Sequence, residues 1–304
     1  MKKSLLSPGL LLIAALSLSS CETMESAVNI ATVIGQSTGT ITETQGEAAR
    51  KTTKAAVRSA EDFTPEQEYY IGRTVGAVVL SKYRAYDSNQ VNHYLNVLGQ
   101  TLAQASDLPS TFGGYHFLVL DSDDINAFAT PSGLIFVTRG LLRCCKSEDA
   151  LAAVLAHEVG HVQLRHGMQA IEKARRDEAL MTFGMEVAKN LGSKEVAELT
   201  KTFEGAITDI TSTLINKGYA RAQEYQADQV AMTILRRVGY DPNGLVEMLT
   251  LMKRNLKPGG VDFVKTHPSP DDRIAEIRKL SPGYAAAPAP ASRQTRFQQV
   301  LGNI

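Results

Sequence analysis

The segment HEVGH at residues 157–161 constrains this chain more than any other feature. It follows the apolar run 151–156, and together they predict a buried helix. Residues four positions apart share one face of a helix, so the two imidazoles can bind one zinc ion. Glu158 lies beside the first histidine and can act as general base on water at that metal. Because a buried histidine pair without a partner is costly, the pattern predicts a zinc site.

A catalytic zinc needs a third protein ligand. His166 follows His161 by five residues and would lie off the ligand face of a continuous helix, so we interpret it as a structural or surface residue. The metzincin extension would need glycine and histidine at the positions of Leu164 and Gly167, which excludes that class. We therefore expect the third ligand elsewhere in the chain.

Glu224 is the best candidate for this ligand, in the helical pattern of residues 218–237. Asp228 follows one turn later, and Glu-x-x-x-Asp on a second helix is typical of gluzincins. In that arrangement the glutamate binds zinc and the aspartate hydrogen-bonds a ligand histidine. The alternative is an exposed acidic pair, although such a pair repels mildly and gains nothing from its spacing. After an HEVGH helix, the metal interpretation is favoured.

The N-terminus has the layout of a secretory signal. Two lysines follow Met1, residues 9–18 are almost wholly apolar, and small residues close the run. The tetrapeptide LSSC ending at Cys21 resembles the bacterial lipobox, which implies that Cys21 is lipidated and becomes the mature N-terminus. Several acyl chains on one residue would anchor the protein stably to a membrane. Glu22, in place of an aspartate, favours the outer membrane, and an ordinary signal peptide is the alternative.

Composition divides the chain into four parts. We predict a signal peptide at 1–20, a lipid anchor and partly helical linker at 21–63, a folded domain at 64–280, and a loose Ala/Pro-rich tail at 281–304. Within the domain, β-prone apolar runs predict strands at 115–120 and 133–138. Periodicity and capping residues predict helices at 65–83, 88–105, 148–165, 169–215, 218–237, 242–254 and 270–280.

Charge and cysteine content exclude other classes of protein. The 304 residues carry 32 basic and 32 acidic side chains, so no net positive field attracts a phosphate backbone, and we expect no nucleic-acid partner. Three cysteines are too few for a disulfide scaffold. We interpret the adjacent Cys144 and Cys145 as small buried hydrophobic residues, with intermolecular pairing as the alternative.

Several ordered motifs resemble those of the HtpX and CAAX-prenyl-protease-type zinc endopeptidases. They are NAFA at 126–129, the segments 131–142 and 148–156 before the zinc motif, the Glu224/Asp228 block, and THPSP at 266–270 followed by Arg273. The resemblance spans residues 64–280. No later run of 18 apolar residues matches the membrane helices of HtpX. We expect a compact, lipid-anchored periplasmic member without a tetratricopeptide array.

The resemblance implies an α+β gluzincin fold, with a small mixed sheet packed on the active-site helix and a mostly helical C-terminal subdomain that carries the third ligand. It implies one zinc ion per chain. Asn126, Ala127 and Phe128 would belong to an edge strand that pairs with an extended substrate backbone, with a core strand as the alternative. His267 would approach the zinc and stabilise an oxyanion, unless it is a simple loop histidine. Arg273 would pair with Asp228 or another buried carboxylate.

The resulting hypothesis is a zinc endopeptidase that hydrolyses peptide bonds with metal-activated water and Glu158 as general base. An edge strand reads backbone, so the expected substrates are unfolded or misassembled envelope proteins. The alternative is a periplasmic chaperone or assembly factor that binds extended clients in the same groove and cleaves rarely.

Overall fold

The computed structural model describes residues 21–60, 63–170, 172–173, 218–255, 269–280 and 289–304. The chain forms two compact units, one of residues 1–63 with 170–206 and the other of residues 64–169 with 207–304. The predicted signal peptide, most of the predicted helix 169–215, and His267 lie outside the described residues.

In the first unit, the helices α1 (Cys21–Ser37) and α2 (Glu43–Ala60) pack on each other. Arg50 joins them, since its Nη1 donates to the Thr32 hydroxyl at 3.0 Å. The linker predicted at 21–63 is thus helical over most of its length. None of the helices in the described residues is long and apolar enough to span a bilayer.

Two capped helices open the second unit. Thr64 accepts from the backbone N–H of Gln67, whose side chain in turn accepts from the Thr64 backbone, and this capping box starts α3 (Pro65–Lys82). The Ser88 hydroxyl caps α4 (Asn89–Gln104). Both helices begin where the sequence predicts, because capping residues within four positions satisfy their first N–H groups.

A mixed three-stranded sheet follows, made of β1 (His116–Leu120), β2 (Ala127–Ala129) and β3 (Leu134–Thr138) in the order β1-β3-β2. β1 runs parallel to β3, and β2 runs antiparallel to it with Phe128 opposite Phe136. A turn at Pro131–Gly133 joins β2 to β3 and holds Ser132 in the left-handed region, with φ 65°. β2 is consequently an edge strand of this sheet.

The centre of the second unit is α6 (Glu148–Gln163), which follows the short helix α5 (Arg139–Cys144). Nearly every residue of α6 is buried, and α4, β2, α7 (Arg221–Val238) and α8 (Asn243–Asn255) pack around it. Farther along the chain, α9 (Pro270–Leu280) packs on α7 and α8. The α+β fold class predicted from the sequence is confirmed, and Cys144 and Cys145 are both buried, as predicted.

The end of the chain differs from the prediction. The Ala/Pro-rich composition predicts a loose tail, but residues Ala291–Leu301 form a helix, α10. Phe297 and Leu301, four positions apart, bury their side chains in the core with 3% and 5% exposed. The prediction was wrong here because the overall composition does not reveal that Phe297 and Leu301 share one face of a helix and can be buried in the core.

Candidate metal centre

The HEVGH segment lies in the last turns of α6, where His157, Glu158 and His161 are all buried with at most 1% exposed. Gly160 allows α7 to approach this part of the helix closely. A Cβ at that position would lie 3.0 Å from the backbone oxygen of Ala227. The missing side chain therefore brings α7, with its carboxylates, against the histidine pair.

Three donor atoms from these two helices converge. The Nε2 atoms of His157 and His161 are 3.0 Å apart, and the Glu224 carboxylate lies 3.4 Å from the first and 3.5 Å from the second. Ligand bonds of about 2.1 Å in a tetrahedral site place neighbouring ligand atoms about 3.4 Å apart. Two imidazoles and one carboxylate at these separations fit zinc, and they are the metal-capable cluster in the described residues.

Asp228 lies behind this cluster. Its Oδ1 atom is 2.9 Å from Nδ1 of His157. The opposite edge of that ring, which carries Nε2, points at the three-atom centre. Arg273 of α9 holds the aspartate with two bonds, at 2.9 Å from Nε and 2.6 Å from Nη2. It also lies 3.4 Å from the Glu224 carboxylate. Arg273 thus pairs with Asp228, the partner named from the sequence, and Glu224 lies beside it.

Glu158 points into the same buried region. Both of its carboxylate oxygens are fully buried, and no side chain within the described ranges hydrogen-bonds either of them. Burial raises the pKa of Glu158 to about 7, against the opposing effect of His157. A carboxyl group with that pKa can both take up and release a proton near neutral pH.

The edge strand β2 has backbone groups that do not bond to its neighbour β3. Asn126, Phe128 and Thr130 exchange hydrogen bonds with β3, so the N–H and C=O groups of Ala127 and Ala129 face away from it. The Asn126 side chain is 1% exposed, and neither of its amide atoms has a hydrogen-bond partner among the described residues. A buried polar group of this kind is costly unless a ligand satisfies it.

Tyr219 links the edge strand to the metal-capable cluster. Its ring stacks on His161 with a centroid separation of 4.1 Å and an interplanar angle of 17°. Its hydroxyl donates to the Ala129 carbonyl at 3.3 Å. The tyrosine therefore lies over one donor and against one of the outward-facing groups of β2.

His166 lies nearer to the centre than the sequence indicates. It is outside the three-atom cluster, but its Nδ1 is 2.9 Å from Nδ1 of His161, and only 1% of the residue is exposed. Burial lowers its pKa to about 4. A continuous helix would carry His166 off the ligand face, but α6 ends at Gln163 and Arg165 has φ 53°. Two other residues predicted from the sequence, His267 and the side chain of Cys21, lie outside the described part of the chain.

Comparison with known proteins agrees with this geometry. The family model described as peptidase family M48 matches residues 89–281. The chain is 30% identical over 223 residues to a beta-barrel assembly-enhancing protease of Yersinia pestis, covering 70% of this chain and 44% of that protein. The corresponding protein of Escherichia coli K12 is 28% identical over 219 residues, with coverage of 69% and 42%.

A eukaryotic relative matches a shorter stretch. The mitochondrial metalloendopeptidase OMA1 of Schizosaccharomyces pombe is 30% identical over 163 residues, which cover 52% of this chain and 44% of that protein. The matched part of this chain thus spans less than half the length of each of these three relatives.

Proposed function

Because the chain belongs to peptidase family M48 and is a metallopeptidase by that membership, we propose that it is a zinc-dependent endopeptidase with His157, His161 and Glu224 as metal ligands. The observation that carries the proposal is the convergence of two Nε2 atoms and a carboxylate to within 3.5 Å of one another. The pattern of the motifs further favours a compact member similar to the HtpX and CAAX-prenyl-protease types.

A bound zinc ion supplies a Lewis acid that lowers the pKa of water and polarises a carbonyl group. The protein supplies the proton transfers. Glu158, whose pKa burial raises to about 7, would accept a proton from the attacking water and deliver it to the leaving amine. Asp228 orients His157 through the Nδ1 contact, and Arg273 keeps that aspartate ionised and in place.

Substrate binding is assigned to β2. The backbone groups of Ala127 and Ala129 that face away from β3 would pair with an extended polypeptide as an added strand, which would displace the Tyr219 hydroxyl from the Ala129 carbonyl. The Asn126 amide has no hydrogen-bond partner among the described residues, which supports a role in binding such a chain. His267, for which the motif THPSP suggests a role in stabilising the oxyanion, completes the proposed set of residues.

We assign the substrates to the class of unfolded or misassembled envelope proteins. Backbone recognition by an edge strand suits any extended chain, and two of the relatives are named as proteases that enhance β-barrel assembly. The N-terminal pattern supports a signal peptide at 1–20, a lipid anchor at Cys21 with a linker to residue 63, and a peptidase domain at 64–280. The proposed location is the periplasmic face of the cell envelope, at the outer membrane.

The test is cleavage of an unfolded polypeptide by the purified protein, read by mass spectrometry of the fragments. Cleavage that a chelator abolishes and added zinc restores supports the proposal. Glu158→Gln is the matched control, because it keeps the ligands but removes the base. A Glu158→Gln variant that cleaves at the wild-type rate would overturn the assignment, and one that retains full biological activity without cleavage would favour the chaperone.

The anchor has a separate test. Cys21→Ser should move the protein from the membrane fraction to the soluble periplasmic fraction and leave its zinc content unchanged. Wild-type protein found in the soluble fraction would refute the lipid anchor without touching the peptidase assignment.

A further inference from the structure

The two histidines of the metal centre have different partners on their second ring nitrogens. Both direct Nε2 at the three-atom cluster. On His157 the Nδ1 atom meets the charged Asp228, whereas on His161 it meets the uncharged ring of His166 at 2.9 Å. An imidazole that binds a metal through Nε2 carries its proton on Nδ1 and needs an acceptor there.

We propose that His166 and Gln226 form a hydrogen-bond relay that holds His161 in the tautomer needed to bind the metal. This inference rests on the proposed function, since it takes His161 as a ligand. His166 can accept from His161 only if its own Nδ1 bears a lone pair, which places the proton of His166 on Nε2. That Nε2 atom is 3.2 Å from Oε1 of Gln226, an acceptor.

The relay therefore has one consistent direction. His161 donates through Nδ1 to His166, and His166 donates through Nε2 to the amide oxygen of Gln226. The amide oxygen sets the proton position on the second ring, and the second ring sets it on the first. His166 and Gln226 are thus positioning residues, which act on the metal only through His161.

The backbone is arranged to make this contact. A continuation of α6 would carry a residue five positions after His161 away from it. Instead, Arg165 adopts φ 53°, a conformation that non-glycine residues rarely take, and its Nε donates to Glu68 at 3.0 Å. The turn brings His166 back against the ligand, where only 1% of it is exposed. The strained backbone conformation of Arg165 thus positions the imidazole of His166.

The other end of the relay comes from the ligand helix. Gln226 lies two residues after Glu224 and two before Asp228, on α7. One helix therefore provides a metal ligand, the partner of the first histidine, and the end of the relay to the second. Docking of α7 onto α6 orients both imidazoles at once.

The experiment compares four variants of the full-length protein. Gln226→Leu removes the acceptor, and Gln226→Glu retains one. Gln229→Leu is the matched control, because Gln229 is an exposed glutamine on the same helix. His166→Phe removes the middle of the relay. Zinc affinity is measured by competition with a chromophoric chelator, and the thermal unfolding of each zinc-free variant is recorded beside it.

We expect Gln226→Leu and His166→Phe to weaken zinc binding by about 10- to 100-fold, as for other groups that orient a ligand. Gln226→Glu and Gln229→Leu should retain the affinity of the wild type. Zinc-free Gln226→Leu should unfold at the same temperature as Gln229→Leu, which a purely structural role of Gln226 would not allow.

The relay is overturned if Gln226→Leu binds zinc as tightly as Gln229→Leu, or if Gln226→Glu loses as much affinity as Gln226→Leu. These outcomes are distinct from a failure of the proposed function. If the wild type and the variants differ in zinc affinity as expected but the wild type cleaves no polypeptide, the relay is supported and the peptidase assignment is overturned. Wild-type protein that binds no zinc overturns both.

Discussion

Helix α6 carries a buried charged cluster near each of its ends, and the two clusters are built from similar parts. Glu148 belongs to the first, and the residues of the HEVGH segment to the second. Each receives an arginine from a later helix, Arg296 of α10 in one case and Arg273 of α9 in the other. The comparison shows how a structural cluster differs from a site.

In the first cluster, donors of the protein fill the acceptors. The Glu148 carboxylate accepts from the hydroxyls of Tyr94 at 2.8 Å and Tyr240 at 2.7 Å, and it pairs with Arg296. Burial raises the pKa of Glu148, but the hydrogen bonds from Arg296, Tyr240 and Tyr94 outweigh it and hold the pKa below its ordinary value. The cluster is complete without a ligand, so its effect is on stability.

In the second cluster, acceptors converge on one another. Two imidazole nitrogens and the Glu224 carboxylate share a space where a cation can satisfy all three. Glu158 lies beside them with no side-chain partner among the described residues. Such an arrangement is costly unless a ligand or a reaction uses it. In the first cluster the lone pairs of the acceptor meet donors of the protein, whereas in the second they point at one another. This difference, more than charge or burial, separates a binding site from a fold-stabilising cluster.

The largest expected effect is loss of the metal. His157→Ala or His161→Ala should each reduce bound zinc from one per chain to nearly none, because two protein ligands rarely retain a catalytic ion. Glu148→Gln, in the other cluster, should retain one zinc. Metal analysis of the purified variants decides the matter, and full occupancy in either histidine variant would contradict the site assignment.

The next effect separates Glu224 from Asp228 within the second cluster. Glu224→Ala should lose zinc almost completely at ordinary metal concentrations, since it removes a ligand and a negative charge. Asp228→Asn should bind zinc when it is supplied in excess, with affinity or activity lowered by about 10- to 100-fold. A zinc titration beside a peptide-cleavage assay measures both. Wild-type zinc affinity in both variants would place the third ligand elsewhere, with His267 as the first candidate.

A smaller effect is expected in the first cluster. Glu148→Gln weakens charge-assisted hydrogen bonds at a residue that is 1% exposed, so it should lower the free energy of unfolding by about 1–3 kcal/mol. Arg296 is about half exposed, and solvent screening keeps the loss modest. Thermal denaturation should show a lower Tm with unchanged zinc content and kcat/KM. A large change in kcat/KM with the Tm unaltered would mean that the two clusters are not distinct.

The smallest effect is a dependence of that stability difference on pH. The folded-state pKa of Glu148 is lowered, so its contribution is present above the unfolded value of about 4.3 and is lost as the pH falls through the folded value. The Tm gap between zinc-free wild type and zinc-free Glu148→Gln should therefore be largest near pH 7 and shrink below about pH 4. A Tm gap that widened on acidification would contradict a lowered folded-state pKa of Glu148.

Several parts of the fold and site follow from neighbours in the sequence. Thr64 and Ser147 mark the starts of α3 and α6, because a cap acts on N–H groups within three residues. The spacing of His157 and His161 is enough to place two donors on one face, because the helical repeat fixes it. Predictions at this range agree with the structure to within one or two residues at the start of each of these helices.

Other parts depend on residues far apart in the chain, and here the sequence alone could not decide. Arg273 lies 116 residues from His157, and the sequence indicates Asp228 or another buried carboxylate as its partner without deciding between them. α10 was predicted as loose tail because nothing near it reveals that the core has room for Phe297. His166 was placed off the ligand face because the turn at Arg165 breaks the periodicity on which the argument depended.

The sequence by itself determined the helix that carries the histidine pair, and it identified Glu158 as the proposed base and the candidates for the third ligand. Hydrogen bonds over three or four residues govern the helix and the spacing of its histidines, whereas the base and the ligand candidates come from the residue types in the two motifs. The tertiary structure decided which carboxylate meets which imidazole and which cluster remains open to a cation. Those contacts form only when helices close-pack, and packing depends on the shapes of surfaces that are distant in sequence. Gly160 shows the link between the two, since one missing side chain in α6 lets α7 bring Glu224 to the metal centre.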